Sequence, residues 1–134
     1  MSDQRSKIKD QNLNQKPKIE LRYRAFYLSI EVIKFLESLE NKTSLKIITQ
    51  QLIRCITSIG ANMVEAKGSS SKREFLNYFQ IALKSAQESK YWLAMLRELL
   101  PQYKNKINEF INETEEIAKV LSASILTMKG KKSL

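Results

Sequence analysis

The chain has 134 residues, 43% of them apolar, and sets 23 Lys and Arg against 14 Asp and Glu for a formal net charge of +9, with no histidine and one cysteine. These figures fit a single domain that closes its core without a structural metal; they exclude an intramolecular disulfide and any site built on histidine. Only 3 Gly and 2 Pro leave few tight turns, and a composition led by Leu, Ile, Lys, Glu, Ser and Gln, with little Val, predicts an all-α fold.

Residues 1–18 carry Arg5, Lys7, Lys9, Lys16 and Lys18 with only Ile8 and Leu13 as aliphatic anchors, which predicts a disordered basic N-terminal tail. The bundle proper is predicted over 19–129. Its first helix has a seam of Leu21, Ala25, Leu28, Val32, Phe35 and Leu39, alternating steps of four and three, and ends near Asn41. The second starts at Thr43 or Ser44 as N-cap, runs an apolar face through Leu45, Ile48, Leu52, Cys55, Ile56, Ile59 and Met63, and stops at Gly68. Ser71-Lys-Arg-Glu74 reads as a capping box opening a third helix with the seam Phe75, Phe79, Ala82, Ala86, Ser89, Leu93, Leu96 and Leu100, closed by Pro101. The fourth carries Ile107, Ile111, Thr114, Ala118, Leu121, Ile125 and Met128 before a flexible basic tail at 130–134. Four helices with short connections predict an antiparallel up-down-up-down bundle. No apolar block suits a signal peptide or a membrane span of about 20 residues, so a cytoplasmic protein with no membrane partner is expected and Cys55 reads as a small buried core residue.

The third helix is apolar over more than one face. Tyr78, Ile81 and Trp92 extend its arc past about 180°, and Ser85 would let a neighbouring helix approach closely, so Tyr78, Ile81, Ser85 and Trp92 are expected at a subunit interface. On the second helix Arg54, Ser58, Asn62 and Glu65 share a sector of about 80° beside the apolar face, which predicts a structural polar network reaching a neighbouring helix. No catalytic or metal-ligating constellation is present: there is no Gly-rich phosphate loop and no carboxylate cluster at metal spacing. A Glu65–Glu88 approach across two helices would be the nearest substitute. The protein is read as non-enzymatic, with no cofactor.

Around the second turn the chain resembles a known family, the bacterial four-helix bundle proteins encoded in intervening sequences of 23S rRNA genes, also called the S23 ribosomal protein family. The positions that carry the likeness are Ile53-Arg54, Ser58-Ile59, Asn62, Glu65-Ala66, Gly68, the Ser-rich turn with Lys72 and Phe75, Ile81-Ala82, Ser85 and Glu88. The family pattern is close to Ser-Ile-x-x-Asn-Ile-Ala-Glu-Gly, where this chain reads Ser58-Ile-Gly-Ala-Asn62-Met-Val-Glu65-Ala-Lys-Gly68, with two extra residues between Glu65 and Gly68. The likeness spans roughly residues 20–128. It implies a four-helix bundle assembling into a homopentameric ring. The accessory variability proteins of diversity-generating retroelements are similar in fold and form a basic pentameric barrel that engages nucleic acid and a reverse transcriptase, so a reverse transcriptase is a further possible partner.

Two functions compete. One is an RNA- or DNA-binding homo-oligomer, associated with rRNA or a reverse-transcriptase element, in which Arg22, Arg24, Lys67, Lys72, Arg73, Lys129, Lys131 and Lys132 meet backbone phosphates and Tyr23 and Tyr27 stack on bases. Lys72 and Arg73 have the strongest case, because a helix N-terminus adds a favourable dipole for an anion. The alternative is a protein–protein interaction scaffold with no nucleic-acid ligand. Binding to polyanions that weakens steeply with salt separates the two.

Overall fold

The computed structural model describes residues 20–40 and 42–133, with side chains through residue 130. The expected tail at 1–18 lies outside the described residues. Among the described residues four helices make up the fold: α1 (Leu21–Glu37), α2 (Thr43–Lys67), α3 (Lys72–Leu99) and α4 (Lys104–Ser133), with a 3-10 turn at Pro101–Tyr103 between the last two. Sequential helices pack side by side, α1 on α2, α2 on α3 and α3 on α4, and α4 closes the square against α1. This is the antiparallel bundle predicted from the apolar seams.

Local chemistry sets the ends. α1 stops at Glu37, short of the expected end near Asn41, because Ser38 turns back on the helix: its Oγ and its N–H both donate to the Phe35 carbonyl, at 2.6 and 3.0 Å. Leu39, placed on the helical seam by its spacing, packs against the core from the loop instead. α2 begins at Thr43 with Lys42 in the capping position and no side-chain cap, so neither Thr43 nor Ser44 caps it as expected. At its far end the Gly68 N–H donates to the carbonyls of Val64 and Glu65, and Gly68 holds φ at −87°, outside the left-handed region. Ser71 caps α3, its Oγ accepting from the Glu74 N–H at 3.1 Å, which is the Ser71 half of the predicted capping box. Pro101 ends α3 and opens the 3-10 turn. α4 passes through Gly130 and continues to Ser133, where the sequence placed the start of the C-terminal tail.

Large aliphatic side chains from all four helices fill the centre: Val32, Leu52, Ile56, Ile59, Leu93, Leu96, Ile107, Ile117 and Leu121 are fully buried. Ala82 and Ala86, both at 0% exposure, draw the α3 backbone in close. Each buried hydroxyl is satisfied. Ser29 donates to the Ala25 and Ile56 carbonyls, Ser89 to the Ser85 carbonyl and to the Cys55 sulfur, and Thr114 to the Phe110 carbonyl. The core therefore contains polar groups at little cost.

Candidate nucleic-acid interface

Antiparallel succession brings the last turn of α2, the first turn of α3 and the last turns of α4 to one end of the bundle, with the start of α1 beside them where Gly60 approaches Ala25. Lys67, Lys72, Arg73 and Lys129 are exposed there, and none of the four forms an ion pair among the described residues. Ser71 takes up the Glu74 N–H, which leaves the first backbone N–H groups of α3, on Lys72 and Arg73, without helical acceptors and pointing out of the bundle end. Beside them an open hollow of about 520 Å³ is lined by Ser71, Arg73, Glu74, Leu76, Asn77 and Gln80, a hydrogen-bonding surface with one carboxylate in it.

The other predicted cations are differently employed. Arg24 is a structural residue: Nε and Nη2 donate to the two carboxylate oxygens of Glu113 at 3.0 and 2.7 Å, and its side chain is only 8% exposed. The hydrogen bonds to Glu113 hold its guanidinium above its ordinary pKa against the opposing effect of burial. It ties α1 to α4, with its charge already matched by the Glu113 carboxylate. Arg22 pairs with Glu20 and lies over the Tyr23 ring at 5.2 Å. Tyr23 is exposed on that surface, whereas Tyr27 is half-buried edge-on to Phe26. Lys131 and Lys132 continue the last turn of α4, and their side chains lie outside the described residues.

The polar stripe on α2 divides in two. Arg54 donates to Glu88 on α3 and to Gln51, and Glu88 also accepts from Trp92 Nε1 at 3.1 Å. One turn on, the Asn62 amide donates to the carbonyl and hydroxyl of Ser58, which in turn accepts from the Ser85 hydroxyl at 3.0 Å. Glu65 stands outside this network, exposed and without a side-chain hydrogen bond among the described residues. It also stays clear of Glu88, which pairs eleven residues back along α2, roughly 16 Å away. Among the described residues no group of three His, Cys, Asp or Glu could hold a metal ion, and no helix is long and apolar enough to cross a membrane.

Of the expected interface residues, Ser85 is engaged with Ser58, Tyr78 and Trp92 are half-buried, and Ile81 is 38% exposed. A second apolar surface escaped the sequence reading. Phe26, Ile30 and Ile33 of α1 and Ala61 and Val64 of α2 line a groove of about 300 Å³ between the two helices, with Phe26 46% and Val64 58% exposed. Its signal was present in the four-then-three spacing of Phe26, Ile30 and Ile33 alongside the core seam.

A protein of unknown function from the S23 ribosomal protein family of Bacteroides thetaiotaomicron has a crystal structure that superposes with a TM-score of 0.73 at 29% identity, covering 79% of this chain and 98% of that one. No curated protein matches the chain. The family model described as 23S rRNA-intervening sequence protein matches residues 18–123, which takes in α1, α2, α3 and most of α4, and with the bundle geometry this places the chain in the 23S rRNA-intervening sequence protein family.

Proposed function

We propose that this protein is a non-enzymatic, RNA-binding homo-oligomer that grips phosphates with one end of its bundle and acts at rRNA or at a reverse-transcriptase element. The observation that carries the reading is the group Lys67, Lys72, Arg73 and Lys129, exposed at a single end and unpaired among the described residues. Cations held away from carboxylates keep their full attraction for a polyanion, and the free N–H groups at the start of α3 add to it. The net charge of +9 per chain multiplies with every copy in an oligomer, so modest contacts sum to useful avidity.

The test is binding to labelled structured RNA, single-stranded RNA and duplex DNA across a salt series, with the mass of the protein measured by light scattering in the same buffers. Salt-sensitive binding by an oligomer is the expected result. No binding to any of the three at low salt would remove this reading and leave a protein-interaction scaffold, for which the two apolar surfaces beside α2 are the supporting observation.

A further inference from the structure

We infer that the outward face of α3 is a track for unpaired nucleotides, with Arg73 and Lys84 meeting phosphates, the amides of Asn77, Gln80 and Gln87 reading base edges, and the Tyr91 ring stacking on a base. The inference rests on the RNA reading above and names its substrate class, single-stranded rather than duplex RNA, and the residues that select the bases.

α3 buries Ala82, Ala86, Ser89, Leu93 and Leu96 in the core. On the opposite side, steps of four and three carry Arg73, Asn77, Gln80, Lys84, Gln87 and Tyr91 along the helix within a sector of about 80°. All six are exposed, and none makes a side-chain hydrogen bond or ion pair among the described residues. Tyr91 stands edge-on to Trp92 and is 59% exposed, which leaves its ring open to solvent. No carboxylate interrupts the stripe. Glu88 is held by Arg54 and by Trp92 Nε1, and Glu98 lies beside Arg97 at 3.8 Å. The outward side of α4, by contrast, carries Glu109 and Glu116. A solvated helix face ordinarily mixes both signs of charge, whereas cations, amides and an aromatic ring without acids are the side chains of single-strand binding.

The stripe begins at the basic end of the bundle and leads away from it. Arg73 stands beside Lys72 there, and Tyr91 lies about 27 Å further along the helix. Successive side chains of the stripe are about 5 Å apart along the axis, close to the step between nucleotides in an extended strand. The hollow of about 520 Å³ lined in part by Arg73, Glu74, Asn77 and Gln80 sits at the start of this path and has room for a base. Its two amides both donate and accept, Glu74 accepts from an exocyclic amino group, and the bidentate fit of Asn and Gln to adenine makes adenine the favoured base. The pairing state follows from the same placement. The major groove of an A-form duplex is too deep and narrow for side chains to read, so those on the crest of α3 reach bases only where these are unpaired. Against a duplex the stripe would meet phosphate alone, and its amides and ring would add no selectivity.

Fluorescence anisotropy of the full chain with labelled oligo(A), oligo(U) and the oligo(A)·oligo(U) duplex of equal length tests the inference, with helical circular dichroism as the check on folding. The wild type should bind oligo(A) about fivefold more tightly than the duplex, although the duplex carries more charge, and more tightly than oligo(U). Tyr91→Ala should weaken oligo(A) binding about fivefold with the salt slope unchanged, and Tyr91→Phe should keep the wild-type affinity, because stacking needs the ring and not the hydroxyl. Asn77→Ala, Gln80→Ala and Gln87→Ala combined should erase the preference for oligo(A) over oligo(U), and this exposed set serves as the second variant should Tyr91→Ala fail to fold. A duplex bound as tightly as oligo(A), or wild-type affinity and base preference in the variants, would overturn the inference while leaving salt-sensitive binding at the bundle end intact. Binding to none of the three at low salt would overturn it together with the RNA reading itself.

Discussion

Arg24 and Glu113 form a bidentate hydrogen-bonded ion pair between α1 and α4, with the guanidinium nearly enclosed and the carboxylate 36% exposed. Removing the arginine leaves a carboxylate that can still hydrate, so Arg24→Met should cost about 1–2 kcal/mol, below what a fully buried pair would lose. Urea unfolding of Arg24→Met, Glu113→Gln and the double variant should return a positive coupling energy. The RNA affinity of folded Arg24→Met should match the wild type, in contrast with the phosphate contact its sequence position suggested.

The bundle end should behave differently. Lys72→Glu with Arg73→Glu removes two exposed, unpaired cations, so binding should weaken at least tenfold and the log–log salt slope should flatten by roughly one unit per cation lost. Thermal stability should hardly change. A salt slope equal to that of the wild type would show that phosphates are met elsewhere.

Gly60 lies inside α2 where α1 comes closest, and a methyl group there would meet the Ala25 Cβ at 3.5 Å, an ordinary contact. No backbone strain requires glycine, since no glycine in the described residues has a positive φ. Gly60→Ala should therefore stabilise the protein by about 0.5–1 kcal/mol through reduced unfolded-state freedom. Gly60→Leu should reverse the gain by forcing α1 away. Melting temperatures of the pair, moving in opposite directions, check both.

Cys55 is 1% exposed, and burial pushes its thiol above the ordinary value, only partly offset by the hydrogen bond from Ser89. It should resist maleimide in the native protein at neutral pH and react on unfolding. A raised folded pKa means that the unfolded thiol loses its proton first, so this contribution to stability is complete below the unfolded pKa and declines as pH climbs above about 9. Between pH 8 and 10 the wild type should lose more stability than Cys55→Ala, whose remaining titrating groups are the same.

Much of this architecture was legible in one dimension. Steps of four and three predicted that Ala25, Leu28, Val32, Leu52, Cys55, Ile59, Ala82, Ala86, Ser89, Leu93, Leu96, Ile107, Thr114, Ala118 and Leu121 line the core, and each is buried, whereas Phe75, Phe79 and Ile111 on the same seams are half-buried and the buried Phe110 and Ile117 lie off them. Ser71 could be read as a cap because capping uses atoms three residues apart. The end of α1 could not, because Ser38 competes with helix continuation through a bond that spacing does not reveal.

Sequence alone determined the fold class, the core stripes and the excess of positive charge, since these depend on residue type and on contacts within a helical turn. Only the tertiary structure decided how the polar and charged residues are used. Arg24 and Arg22 look alike in the chain, but only Arg24 meets a partner eighty-nine positions away. Arg54 and Glu65 share one stripe, yet Glu88 faces only the first. The gathering of Lys67, Lys72, Arg73 and Lys129 at one end, and the apolar groove beside α2, follow from how antiparallel helices are laid against each other. An ion pair between helices, an unpaired cation or an uncovered face is defined by what lies opposite in space, and helical periodicity carries no record of that neighbour.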